Sequence, residues 1–141
     1  MILNLKTSYL KLWIPPIIWA AVIFLFSSYP TVATSEIKWQ DFIVKKSFHV
    51  IEYATFTMLL YRAFIQNGFD KKKAAVYSLI TCILYGMSDE FHQTFTQGRD
   101  AKARDVVFDT IGGLLSIYTI WRLLPKAPKI LRNWAKRLQI I

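Results

Sequence analysis

Thirteen residues, Ser88 to Asp100 (SDEFHQTFTQGRD), and the nearby Arg104, Asp105 and Asp109 gather carboxylates, arginines, a histidine and a glutamine between two apolar runs. The runs are Lys73–Met87 and Val106–Leu124. On helical spacing Glu90 and Gln93 lie one turn apart with Gly86 below them. Asp89 and His92 are offset by one residue and are expected to face another neighbour or headgroups. Gly98 allows a left-handed turn that would carry Arg99 back toward the preceding helix. The planar, permanently charged guanidinium suits a bidentate bond to a carboxylate or a phosphate. An internal clamp from Arg99 to Glu90 or Asp105 and direct contact with a ligand both fit.

Two further groups carry the same residue types. His49, Glu52 and Tyr53 stand at i, i+3 and i+4, with Lys46 one turn earlier. A carboxylate beside a histidine tunes its proton or fixes its tautomer. His-x-x-Glu also pairs two metal-ligand types, a weak pattern, and no metal or cofactor is implied; the plain alternative is a solvated pair, or one matched to Lys45 or Lys46. Asp105, Asp109, Gly112 and Ser116 fall on a narrow arc. Asp105 is expected to cap its helix. Asp109, a turn deeper, needs Arg99, Arg104, His49 or a proton of its own, and Gly112 with Ser116 offers a face for close helix approach.

The elements that must position these groups are apolar helices. Of 141 residues, 54% are hydrophobic and 16% aromatic, above an ordinary soluble domain of one-domain length. A helix needs about 20 apolar residues to cross the hydrocarbon core. Residues 12–28, 48–64, 74–92 and 106–124 are four candidates. A soluble bundle would require helices with a polar face, and Ile17–Phe26 (IIWAAVIFLF) has none. The expected fold is therefore all-α, a single domain over 1–141. It is a four-helix transmembrane bundle followed by a basic tail, 126–141. The first span does not read as a cleavable signal: no small-x-small exit follows it. Pro15 and Pro16 fall in its first turn, where a missing N–H does little harm.

Residues 29–47 read as a mixed loop carrying Glu36, Lys38, Asp41, Lys45 and Lys46, with Trp39 and Phe42 at the interface. Asn67-Gly68 is a turn signal, followed by Asp70 and Lys71–Lys73. The lone Cys82 reads as packing, since it has no partner for an internal disulfide. The net charge of +9 lies between and after the spans, and no nucleic-acid motif accompanies it. Lysines and arginines, Lys6 and Lys11 among them, number 12 on the side of the termini and six on the other. That bias places both termini in the cytoplasm of a multi-pass plasma-membrane protein. The topology brings Ser27, Ser28, His49, Glu52, Asp89, Glu90, Gln93, Asp105 and Asp109 to one rim, the outer leaflet. In the tail, Ile130, Leu131, Trp134, Leu138 and Ile141 follow helical spacing, with Lys129, Arg132, Lys136 and Arg137 mostly apart from them. This reads as a short interfacial helix on anionic lipid, or as a basic tail that only fixes topology.

Lys46-x-x-His49-x-x-x-Tyr53, Asp89-Glu90-x-x-Gln93, Gly98-Arg99, Asp105 and Asp109-x-x-Gly112 together resemble the VanZ-like family of small membrane proteins. Ser27-Ser28-x-Pro30 is similar too, and the match runs from about Trp19 to Ser116. One departure is Asp109, where the family usually has Asn. The resemblance implies a multi-span envelope protein linked to teicoplanin-type glycopeptide resistance, and implies no established reaction.

Three functions follow as expectations. The first is a non-enzymatic envelope protein. Its polar cluster (Lys46, His49, Glu52, Asp89, Glu90, Gln93, Arg99, Arg104, Asp105 and Asp109) would bind a membrane lipid. Anionic headgroups, lipid-linked wall precursors and the lipoglycopeptide are the ligand candidates. The second is a membrane enzyme acting on a lipid headgroup, with His49 and Glu52 or Glu90 as acid and base. The spacing Arg99-x5-Asp105-x3-Asp109 echoes an element of lipid phosphatases, but Asp105 stands where their nucleophilic histidine would be. The third is a structural partner of another membrane protein.

Overall fold

A computed structural model describes residues 2–30, 37–99 and 101–140, with side chains from Lys11 onward. Glu36, Asp100, Ile141 and the side chain of Lys6 lie outside the described residues. The described chain is entirely helical: α1 (Ile2–Ser27), α2 (Lys38–Gln66), α3 (Lys71–Gln93), α4 (Ala103–Tyr118) and α5 (Lys129–Arg137). A π-helical turn, Thr119–Leu123, and a 3-10 turn, Leu124–Lys126, prolong α4. The helix loosens there ahead of Pro125, whose ring and missing N–H oppose a regular α continuation.

Local chemistry sets the boundaries. Asn67 closes α2, and Gly68 follows at φ 88°. Gly68 N–H then reaches Ile65 O at 3.0 Å and Phe69 N–H reaches Phe64 O at 3.2 Å, the paired bonds of a Schellman ending. The Phe64 and Phe69 rings pack edge-on at 5.2 Å beside it. Asp70 caps α3 by accepting from the Lys72 and Lys73 backbone N–H groups, each at 3.0 Å. Those bonds, the one from Lys73 foremost, hold its carboxyl below the usual carboxylate range.

Two boundaries differ from the sequence reading. α1 begins at Ile2, so Pro15 and Pro16 lie inside the helix rather than in its first turn. Leu3, Leu5 and Leu10 extend the apolar pattern back past Leu12, and the Pro16 ring is fully buried. α2 begins at Lys38, so the expected loop over 29–47 is helical in its second half. An i,i+4 ion pair, Asp41 to Lys45 at 2.7 Å, supports that extra length.

The helices alternate in direction. Trp19 Nε1 donates to Glu52 O at 2.9 Å and Tyr85 Oη to Ala20 O at 2.6 Å, tying α1 to α2 and α3 at mid-height. α4 has its most extensive interface with α2, and Gly112 makes that possible: a Cβ there would collide with the Val50 carbonyl. Ser116 is buried on the same face, as a small-xxx-small contact requires. The buried Cys82 thiol points at Asp109 O, 3.7 Å away. At the end opposite the α3–α4 loop, Tyr61, Ala74, Ala75, Ile117, Ile120 and Ile140 form an apolar cluster.

The tail locks onto that apolar end. Gln139, at φ 59°, gives α5 a second Schellman ending: Ile140 N–H reaches Ala135 O at 2.9 Å and Gln139 N–H reaches Lys136 O at 3.0 Å. Arg62 donates to Leu138 O at 2.7 Å and to Gln139 Oε1 at 2.9 Å. Ile130, Leu131, Trp134 and Leu138 are exposed. The tail is thus an amphipathic helix with its last turn anchored.

By length and composition one stretch among the described residues, Ala103–Lys126 with 24 residues, is apolar enough to cross a membrane, and Lys11–Ser27 is apolar but shorter. α2 and α3 are long enough but do not meet the same apolar composition. Of the expected four-span bundle, the structure shows four packed helices, one of them, with its continuation, apolar enough to be a span.

Candidate binding cleft

The ends of α1 and α3 and the beginnings of α2 and α4 enclose a cleft of about 550 Å³. Eight of the ten residues singled out in the sequence line it: Lys46, His49, Glu52, Asp89, Gln93, Arg99, Arg104 and Asp105. Glu90 and Asp109 stand directly behind that wall. Glu90 Oε2 accepts from the Lys102 backbone N–H at 2.8 Å. Asp109 is fully buried and its Oδ1 lies 3.0 Å from His49 Nδ1. His49 is thus the partner that Asp109 required. Gly86 leaves the space for it, since a Cβ there would lie 3.1 Å from Asp109 Oδ2.

Three contacts correct the sequence reading. Arg99 does turn back, because Gly98 sits at φ 80°. Its guanidinium meets the end of α1, however, donating to Tyr29 O at 2.9 Å and to Phe26 O. Neither Glu90 nor Asp105 is its partner. Phe26 O is among the last carbonyls of α1, at its negative dipole end, where a cation is favoured, and Tyr29 O lies two residues past that end. Asp105 is not the cap of α4; Lys102 occupies that position without a side-chain bond. One turn in, Asp105 bonds Lys46 Nζ at 2.5 Å, with Arg104 Nε at 3.8 Å. Asp89 is not offset from the Gln93 face but shares it. It is 4% exposed, lines the cleft, and accepts from Gln93 Nε2 at 2.9 Å. His92 is the offset residue, packed against Phe24 with ring centres 4.4 Å apart and planes tilted by 38°.

The cleft also contains Lys38, Asp41, Phe42, Lys45 and Lys102, none of which the sequence reading assigned to the site. The signal for four of them was present as the Lys38, Asp41, Phe42, Lys45 helical spacing, which was read as loop. Phe42 lies beneath two cations, 5.7 Å from Lys46 Nζ and 5.2 Å from Arg104 Cζ, which holds both by cation–π attraction.

The charges are sorted. Lys38, Lys45, Lys46, Lys102 and Arg104 come from the starts of α2 and α4, and Arg99 from the loop between α3 and α4. Against these six cations stand Asp41, Glu52, Asp89 and Asp105 among the lining residues. Several buried polar atoms here have no hydrogen-bond partner among the described residues: Ser27 Oγ, Asp89 Oδ1, Glu90 Oε1 and Asp105 Oδ1. Buried polar atoms are normally satisfied, so these atoms are open to hydrogen bonds from water or from a ligand. No group of three or more His, Cys, Asp or Glu among the described residues is arranged to hold a metal ion. The arrangement can bind an anion, and it can accept hydrogen bonds deeper in.

No curated protein and no solved structure matches this chain. The family model described as VanZ/LLP1 matches residues 12–124, which covers α2, α3 and α4 whole and α1 from Leu12 onward. The chain therefore belongs to the VanZ/LLP1 family.

Proposed function

We propose that the protein is an integral membrane protein of the cell envelope whose cleft binds a phosphate-bearing ligand, contributing to teicoplanin-type glycopeptide resistance without a chemical step. The ligand is a phosphate lipid headgroup or a lipid-linked wall precursor; the lipoglycopeptide itself, whose anionic group is a carboxylate rather than a phosphate, is the alternative occupant of the same cationic cleft. In this reading α1 to α4 all span the plasma membrane, both termini are cytoplasmic, and the cleft opens at the outer leaflet. Family membership supports the membrane setting. So does the distribution of polarity: Ile17, Ile18, Leu25, Ile51, Leu84, Met87 and Leu114 are exposed while Asp89, Glu90, Gln93, Asp105 and Asp109 are buried. A bilayer stabilises that inside-out pattern, whereas water opposes so large an apolar surface. The shortest of α1 to α3, α3 with 23 residues, is about 35 Å long at 1.5 Å per residue, enough for a core of about 30 Å.

The observation that carries the reading is the clustering of six cations around one cleft. Purification of the full chain from membranes at matched expression, wild type against Lys45→Gln/Lys46→Gln, tests it. Retained phosphate lipid is expected to fall about tenfold, a change of about 1.4 kcal/mol, and resistance with it. Equal lipid retention and equal resistance would end it.

One contact favours a second reading, a membrane enzyme acting on a lipid headgroup. His49 lines the cleft and its Nδ1 is held by a buried carboxylate, the arrangement that orients a general base. Headgroup turnover by the purified protein, abolished in His49→Gln, would establish it.

A further inference from the structure

The cleft has two chemically different parts. Its mouth is the cationic group from α2, α4 and the loop between α3 and α4. Deeper, where α1 and α3 meet, Ser27, Asp89 and Gln93 are each at most 4% exposed and all line the cleft. Gln93 Nε2 donates one of its two N–H groups to Asp89 Oδ2. That bond fixes the carboxylate and leaves its Oδ1 with no partner among the described residues, as is Ser27 Oγ. A phosphate is repelled by Asp89 and has no use for this floor. A hydroxyl does: it donates to Asp89 Oδ1 and exchanges either role with Ser27, which both donates and accepts.

Resting on the phosphate-binding reading above, we propose that Ser27, Asp89 and Gln93 form a hydroxyl-recognising subsite. The cleft would then select phosphate headgroups that carry a polyol or sugar. The mouth takes the phosphate and the floor reads the hydroxyls. Two sources share this chemistry, a glycerol-type phospholipid headgroup and a sugar linked to a polyprenyl pyrophosphate. A rigidly held acceptor discriminates sharply, because a ligand lacking the hydroxyl leaves a buried carboxylate oxygen unpaired.

The test measures binding to full-length protein in detergent. Phosphatidylglycerol, phosphatidic acid and phosphatidylethanolamine of identical chains form one series, and a polyprenyl pyrophosphate with and without its sugar forms the other. For wild type, the hydroxyl-bearing member of at least one series is expected to bind about tenfold or more tightly than its hydroxyl-free counterpart. The series in which that happens names the source. Asp89→Asn preserves shape and can still accept from Gln93, but it turns an amide donor toward the ligand. It is expected to reduce the ratio to within about twofold. Ser27→Ala is expected to narrow the ratio less and serves as the second variant. Lys45→Gln should weaken all phosphate ligands and leave the ratio intact.

Comparing ratios removes the general gain in anion affinity from deleting a negative charge. Equal binding of hydroxyl-bearing and hydroxyl-free members by wild type overturns the subsite while leaving phosphate binding standing. Preference for phosphatidylethanolamine overturns it in favour of an ammonium subsite. An unchanged ratio in both Asp89→Asn and Ser27→Ala also overturns it. Absence of binding to every phosphate lipid defeats the underlying reading as well.

Discussion

The two ends of the bundle share α2, α3 and α4, the tail completing one and α1 the other, and they solve opposite problems. At one end Tyr61, Ala74, Ala75, Ile117, Ile120 and Ile140 close into an apolar plug, and the backbone is finished by Schellman turns and the Arg62 contacts to the tail. At the other, helix ends surround a charged cleft in which Ser27, Asp89 and Glu90 each keep a buried polar atom without a hydrogen bond among the described residues. Burial of apolar area supplies stability at the first end. Unsatisfied polar groups cost stability at the second. Proteins tolerate that cost where a ligand is met, so the difference sets a foundation apart from a candidate site.

Mutations can break this contrast. The largest effect is expected from Gly112→Val, at the α2–α4 crossing that joins the two ends. Its side chain meets the Val50 carbonyl, and overpacking should cost about 3 kcal/mol or more, seen as loss of monodisperse protein and of ligand binding together. Next is Ile120→Ala in the plug, buried to 4% exposure. A loss of about 2–4 kcal/mol is expected, read as a lower thermal midpoint with ligand affinity unchanged in the protein that remains folded. A cleft that weakened in step would show that the ends are not separable.

Arg99→Lys tests the other end. A lysine cannot bridge Phe26 O and Tyr29 O with the fixed fork of the guanidinium. Ligand affinity is expected to fall several-fold with a stability change of about 1 kcal/mol or less, checked by lipid retention against thermal midpoint. A large stability loss with intact binding would make Arg99 part of the foundation. The smallest effect belongs to Asp70. Its folded carboxyl titrates below the ordinary range, so its capping contribution is complete above that range and is lost as pH falls through the lowered value. Asp70→Asn should flatten that acid-side loss in a pH series of thermal midpoints and leave cleft binding untouched.

Much of this contrast was legible in the sequence, and what was missed follows a pattern. Helix number came from hydropathy, and the gathering of His49, Glu52, Asp89, Arg99 and Asp105 at one end came from alternation of direction. Gly68 and Gly98 announced their turns because a positive φ favours glycine. Gln139 adopts the same conformation without such a signal, held by Arg62 and by Gln66 Nε2, 3.3 Å from Gln139 O; a contact more than 70 residues away leaves no local trace. Arg99 was located correctly but paired wrongly, because backbone carbonyls carry no residue identity to read. The start of α2 was missed because Lys38, Asp41 and Lys45 look like loop polarity until they are seen to line a cleft.

Cys82 has a practical consequence. The chain's one thiol is 0% exposed and wedged against the α4 backbone, so impermeant maleimides should leave the wild type unmodified. Any cysteine introduced at a surface position then reports alone, without first building a cysteine-free background. Tags placed beside Gly98 and beside Asn67 would show which compartment each turn inhabits, and so whether the ligand arrives from outside the cell.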